Sequence, residues 1–128
     1  MNACPVLVVD DDPIILATVA DALDLEGFRV VTATNGQEAL DALGTDAEGK
    51  PWPRVVLLDM RMPVLDGWGF MRVVRERGLS LKVVVMTAAA DARRWAREID
   101  ANGVLAKPFE LDDLIAAVKR FCANNGYA

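Results

Sequence analysis

Residues 55–63 read Val55-Val56-Leu57-Leu58-Asp59-Met60-Arg61-Met62-Pro63. Four apolar residues run straight into a carboxylate, and a proline follows four residues later. A continuous apolar run this short predicts a strand covered on both faces, as in the interior of a parallel sheet. Asp59 then falls at the C-terminal end of that strand, the edge where open α/β sheets place their ligand sites. An aspartate there also starts loops and caps helices, so its role depends on what the other strand ends supply.

Working outward, the chain repeats one pattern. A first strand, Val6-Leu7-Val8-Val9, ends at Asp10-Asp11-Asp12. Pro13 suits a first helical turn that Asp12 can cap, and Ile15, Val19, Ala22 and Leu23 recur at helical spacing up to Gly27. A second strand, Phe28 to Ala33, leads through Thr34-Asn35-Gly36 into a short helix from Gln37 to Leu43. Gly44 to Pro53, with two prolines, two glycines and Trp52, reads as a surface loop with an exposed Trp52. The strand at 55–58 is the third. Asp66-Gly67 opens a helix to about Arg77 with Phe70, Met71 and Val74 inward, and Gly78 ends it. A fourth strand, Leu81 to Met86, stops at Thr87. A fourth helix, Asp91 to about Ile99, turns Ala92, Trp95, Ala96 and Ile99 to one face and Arg93, Arg94 and Arg97 to the other. A fifth strand, Gly103 to Ala106, ends at Lys107-Pro108. The last helix, Leu111 to about Ala123, has the inward set Leu111, Leu114, Ile115, Val118, Phe121 and Cys122.

Strand and helix alternate five times, which predicts an α/β fold with three layers: a doubly wound (βα)5 domain around a five-stranded parallel sheet. The flavodoxin-like order 2-1-3-4-5 fits five strands and puts its switch point between strands one and three. Residues 1–128 are expected to form one domain, with 123–128 a short tail.

Composition narrows the function. The chain is 53% hydrophobic and 26% charged, ordinary for a globular domain. No apolar run approaches the roughly 20 residues of a membrane helix. Met1-Asn2-Ala3-Cys4-Pro5 lacks the positive charge of a signal peptide, so no membrane association and a cytoplasmic location are expected. A net charge of −5 argues against nucleic-acid binding by this domain itself, although it could be fused to a DNA-binding partner or recruit one. There is no histidine, which removes every His-assisted nucleophile and every His-ligated metal; any metal here is bound by oxygen, favouring a hard cation such as Mg²⁺. Cys4 and Cys122 have no metal-ligand spacing and are expected to be free thiols in a reducing cytosol, though strand one begins and the last helix ends at the same pole of the sheet.

The strand ends converge on one chemistry. Strand one supplies Asp10 and Asp11, strand three Asp59, strand four Thr87 and strand five Lys107. Carboxylates from neighbouring strands at a switch point repel unless pKa values rise or a divalent cation binds. An oxygen-only site of this kind suits Mg²⁺, which neutralises phosphoryl oxygens while a carboxylate can attack phosphorus. Lys107 would offer an ammonium to those oxygens and Thr87 a hydroxyl. Each residue alone has a plainer reading: a helix cap, a strand-end threonine, a surface lysine. Their conjunction favours the chemistry.

The segments VLVVDDD (6–12), VVLLDMRMPVLDG (55–67), VVVMTA (83–88) and AKPF (106–109) together resemble a response-regulator receiver domain of two-component signal transduction, similar to the chemotaxis receivers, over essentially the whole chain. The resemblance implies that Asp59 is the phosphoacceptor, taking a phosphoryl group from a sensor histidine kinase or histidine phosphotransfer protein. It implies Asp11, Asp59 and the backbone carbonyl of Arg61 as Mg²⁺ ligands, with Asp10 holding the ion through water. Thr87 matches the switch hydroxyl and Lys107 the phosphate-contacting lysine, with a cis Lys107-Pro108 bond. The implied output is a helix 4–strand 5–helix 5 surface that controls a downstream effector or a fused output domain. Such a phosphoprotein is not an enzyme beyond catalysing its own aspartyl phosphate formation and hydrolysis within a phosphorelay.

Three positions depart from the family pattern. Val104 stands where many relatives carry the Tyr or Phe whose ring swings inward on activation, so Thr87 is expected to move with little change at 104. Arg61 and Ala89 occupy positions that tune dephosphorylation; an alanine cannot hold an attacking water and Arg61 can shield the phosphoryl group, so a long-lived phosphoryl state is expected. The basic face of helix four reads first as a solvated surface, with pairing to Asp112 and Asp113 across a homodimer the alternative. Two other functions compete. A phosphorylation-independent pseudo-receiver is opposed by the intact acidic set, Thr87 and Lys107. A Mg²⁺-dependent aspartyl-nucleophile phosphatase of the haloacid dehalogenase type wants a second aspartate where Arg61 stands.

Overall fold

The computed structural model describes residues 4–88 and 90–124. Its elements run β1 (Pro5–Val9), α1 (Pro13–Leu25), β2 (Arg29–Ala33), α2 (Gly36–Ala42), β3 (Gly44–Thr45), β4 (Pro51–Trp52), β5 (Val55–Asp59), α3 (Gly67–Glu76), β6 (Lys82–Ala88), α4 (Ala92–Glu98), β7 (Gly103–Lys107) and α5 (Leu111–Asn124). The main sheet has five parallel strands in the order β2-β1-β5-β6-β7. Counting only these strands gives 2-1-3-4-5, as the alternation predicts.

β5 is the centre. All five of its residues are buried, with β1 on one side and β6 on the other, so both edges and both faces are covered. This is why its sequence is uninterrupted by polar residues until Asp59. Val and Leu side chains alternate across the sheet into two cores. Leu7, Val9, Val56 and Leu58 pack with Phe70, Met71 and Val74 of α3 and Trp95 of α4. Val6, Val8, Val55 and Leu57 pack with Val19 and Leu23 of α1 and Leu114 and Val118 of α5.

The helix starts follow their capping chemistry. The Asp12 carboxylate accepts the Ile14 and Ile15 amides at 2.9 and 3.4 Å, with Pro13 in the first turn. Asn35 and Asp66 cap α2 and α3 through the amides of Glu38 and Gly69. Gly27, at φ 91°, ends α1 as a C′ residue.

Three expectations are corrected. Cys4 and Cys122 are not free: they form a disulfide, with S–S 2.05 Å and Cα–Cα 6.1 Å. The return of α5 beside α1 and across β5 and β7 brings together residues 118 positions apart; their shared pole follows from the strand-helix order, and it is the bond itself that the reading as free thiols missed. Residues 44–53 are not all loop, because β3 and β4 form a small antiparallel hairpin held by the Arg54–Asp46 ion pair. Trp52 is half-buried there, and the Arg29 guanidinium lies 6.0 Å from its ring. Leu111 is 37% exposed rather than buried, because at the start of α5 it lines an open apolar cavity with Ile14, Ile15, Val19 and Phe109. No helix among the described residues is long and apolar enough to cross a membrane.

Candidate functional site

The strand ends of β1, β5, β6 and β7 meet at one edge. In the β1–β5 ladder Val9 pairs with Leu58, so Asp10 and Asp59 follow one another onto the same rim. In the β5–β6 ladder Asp59 pairs with Met86, which puts Thr87 one position beyond it. Ala88 pairs with Lys107 in the β6–β7 ladder. Asp10, Asp59 and Thr87 are buried, and Asp11 is exposed at the entrance.

Carboxylate oxygens of Asp10, Asp11 and Asp59 lie within 4.8 Å of one another. The Lys107 ammonium sits 2.8 Å from Asp10 Oδ2 and 3.8 Å from Asp59 Oδ1. Asp10 Oδ1 also accepts the Asp12 amide at 2.9 Å, which fixes the carboxylate's orientation. Asp12 itself is turned to its capping role and is not part of the cluster.

Asp59 pays for its position. Burial, first, and then the negative charge of Asp10 push its carboxyl up to about 7, against the pull of the Lys107 ammonium. One ammonium does not offset three neighbouring carboxylates. The cluster is therefore an electrostatic deficit of positive charge made of oxygen donors only, and a hard divalent cation fits it.

The loop from Met60 to Asp66 is fixed on both sides. The Gly67 amide donates to the Met60 carbonyl at 2.9 Å, and the Gly36 amide to the Leu65 carbonyl at 2.8 Å. A Cβ on Gly67 would stand 2.5 Å from Met60 Sδ and 2.9 Å from Met60 Cα, so only glycine lets the loop close this tightly. Val64, in the same loop, holds a φ of 70° and is 80% exposed. For a β-branched residue this is a strained conformation beside the site.

Among the residues singled out from sequence, Asp10, Asp11, Asp59, Thr87 and Lys107 share this rim. The Lys107-Pro108 bond is cis. Val104 lies on β7 and is 36% exposed. Ala89 lies outside the described residues. One feature was invisible in the sequence: the Arg61 guanidinium lies 5.0 Å from the centre of the Trp95 ring, and Trp95 meets Trp68 edge-on at 5.0 Å. Helical spacing places Trp95 inward but does not say that Arg61 reaches it.

A doubly wound parallel sheet with an acidic cluster and a lysine at its switch point defines a receiver-like signalling domain. Comparison with known proteins gives the family directly. Residues 6–119 match the response regulator receiver domain family. The chain is 38% identical over 123 residues to the transcriptional regulatory protein PrrA of Mycobacterium bovis, covering 94% of this chain and 51% of that one. It is 38% identical over 117 residues to the DNA-binding transcriptional regulator NtrC of Escherichia coli, covering 90% of this chain and 24% of that one. It thus spans about half the length, or less, of these relatives. Among solved structures, the beryllofluoride-activated DrrB receiver domain superposes with a TM-score of 0.79 at 29% identity, covering 95% of this chain and 99% of that one. The chemotaxis response regulator CheY4 of Vibrio cholerae gives 0.78 at 28% identity, covering 94% and 99%. The chain belongs to the response regulator receiver domain family, whose members are signalling modules of two-component systems.

Proposed function

We propose that this domain accepts a phosphoryl group on Asp59 from the phosphohistidine of a sensor histidine kinase or histidine phosphotransfer protein, and that the aspartyl phosphate switches the α4–β7–α5 surface toward a downstream effector or an attached output domain. The observation that carries this reading is Asp59 itself, buried at a strand end between Asp10, Asp11 and Lys107, with its carboxyl pushed up to about 7.

In the reaction an Asp59 oxygen bonds to phosphorus as the phosphorus–nitrogen bond of the donor breaks. The electron pair of that bond returns to the imidazole. Asp10, Asp11, Asp59 and the Arg61 carbonyl are the groups that would hold Mg²⁺, which when bound offsets the cluster's charge and that of the phosphoryl oxygens. Lys107 is within reach of both Asp10 and Asp59, so its ammonium can follow the charge from carboxylate to phosphoryl oxygen. Thr87, buried one position past the level of Asp59, presents the hydroxyl that meets the new group.

The product adds roughly two negative charges and three acceptor oxygens at one strand end. Activation on this reading is a two-state equilibrium that those charges bias. Because Val104 has no ring to swing, Thr87 and its loop carry the change with little rearrangement at 104. Ala89 and Arg61 favour a long-lived phosphoryl state.

The test is intact mass after incubation with Mg²⁺ and acetyl phosphate, beside an Asp59→Asn variant. A gain of one phosphoryl group in the native chain and none in the variant is expected. No gain in the presence of both the small donor and a histidine-phosphorylated protein donor would replace this reading with a phosphorylation-independent binding module.

A further inference from the structure

We propose that Arg61 is the second cation of the phosphoryl site, and that its contact with Trp95 is the link through which phosphorylation reaches α4. This rests on the reading of Asp59 as phosphoacceptor. In the unphosphorylated domain the Arg61 guanidinium covers the Trp95 ring at 5.0 Å, within the range of a cation–π contact. Among the described residues it makes no hydrogen bond or ion pair, so its five N–H donors are not committed to any protein acceptor. Arg61 is exposed, and it stands two residues beyond Asp59 on a loop fixed at Met60 and Leu65.

The charge balance of the site supplies the direction. Lys107 is already 2.8 Å from Asp10, and among the described residues no other cation forms an ion pair with the three carboxylates. A phosphoryl group on Asp59 adds charge and acceptors that match the planar fork of a guanidinium. A bidentate, charge-assisted contact is stronger than a cation–π contact at an exposed position. Arg61 therefore leaves Trp95 for the phosphoryl oxygens.

Trp95 is poorly placed to ignore that departure. It is 4% exposed, sits in the core cluster beneath α4, and stacks edge-on against Trp68 of α3. Removing the guanidinium uncovers one part of a ring whose remaining surface is packed, so the ring and the helix that carries it resettle together. Where Val104 lacks an aromatic ring, Trp95 is the aromatic group whose environment changes.

The indole N–H resonances of the full chain, assigned with Trp52→Phe and Trp68→Phe variants, test this. On adding Mg²⁺ with beryllofluoride, or with acetyl phosphate, the Trp95 resonance is expected to shift while that of Trp52, at the distant hairpin, stays in place. Arg61→Ala, compared at equal phosphoryl occupancy by intact mass, is expected to start with Trp95 displaced and to lose most of the further shift. Arg61→Lys, which keeps the charge without the fork, falls between. A native chain that gains the phosphoryl mass with an unmoved Trp95 resonance overturns the link alone, as does an Arg61→Ala response equal to the native one. A native chain that gains no phosphoryl group overturns the underlying reading and this one with it.

Discussion

The two ends of the parallel sheet are held in opposite ways. At the C-terminal ends of the strands Asp10, Asp11 and Asp59 crowd within 4.8 Å around one lysine, and Val64 keeps a strained backbone in the adjoining loop. At the other end Cys4, just before β1, is bonded to Cys122 near the end of α5, inside a core of Val6, Leu114 and Val118. One pole holds free energy unfavourable to the resting fold; the other closes the chain covalently in apolar surroundings. On the proposed reading, added charge at Asp59 acts on the first pole, while the second closes the fold at the far end of the same sheet.

The largest effect should come from the acidic pole. Asp59→Asn is expected to abolish phosphoryl acceptance outright, read by intact mass, since no other carboxylate of the cluster sits at the end of the central strand. If Asp10 or Asp11 took up the group instead, the division of labour within the cluster would be wrong.

Next is the covalent pole. A link across 118 residues removes much of the unfolded chain's freedom, about 4–5 kcal/mol in the chain-entropy account. The Cys4→Ala/Cys122→Ala double variant, or the chain under a dithiol, is expected to melt roughly 15 °C lower while still accepting a phosphoryl group. Loss of acceptance at temperatures where the variant remains folded would show that the two poles are coupled.

The third prediction concerns pH. Asp59 titrates near 7 in the fold and at its ordinary 3.8 in the unfolded chain, so the folded state binds the extra proton between these values. Its favourable contribution is complete below about 4 and is lost as pH rises through 7. Urea denaturation in EDTA should find Asp59→Asn more stable than the native chain by about 2 kcal/mol at pH 8, and by much less at pH 5. Mg²⁺ should narrow the gap at pH 8 by stabilising the native chain. A gap independent of pH would mean that the carboxyl is not the seat of the penalty.

The smallest is backbone strain. Val64→Gly should stabilise the fold by about 1 kcal/mol, because glycine adopts the positive φ without a Cβ clash and the valine side chain is exposed. Chemical denaturation reads this directly, and a destabilised variant would show that the valine side chain contributes packing there.

Much of this was legible in the sequence because the signals are local. An unbroken Val-Leu run can only be a strand buried on both faces in a chain of this alternation. Asp12-Pro13, Asn35-Gly36 and Asp66-Gly67 mark helix starts through hydrogen bonds made within a turn. Because strands in a parallel sheet all point the same way, the residues that end them must share an edge, and that alone assembled Asp10, Asp59, Thr87 and Lys107. The hairpin at 44–52 was not legible, being only two residue pairs between turns, and neither was the open cavity that leaves Leu111 partly exposed at the start of α5.

The sequence by itself determined the strand-helix alternation, the oxygen-only donor set and the order in which the strand ends deliver it, since each depends on neighbours along the chain. The tertiary structure decided what depends on distance between remote segments. It joined Cys4 to Cys122, gave Lys107 to Asp10 before Asp59, and laid the Arg61 guanidinium on Trp95. It also set the carboxyl of Asp59 near 7, because burial and the approach of another charge exist only once the chain has folded around them.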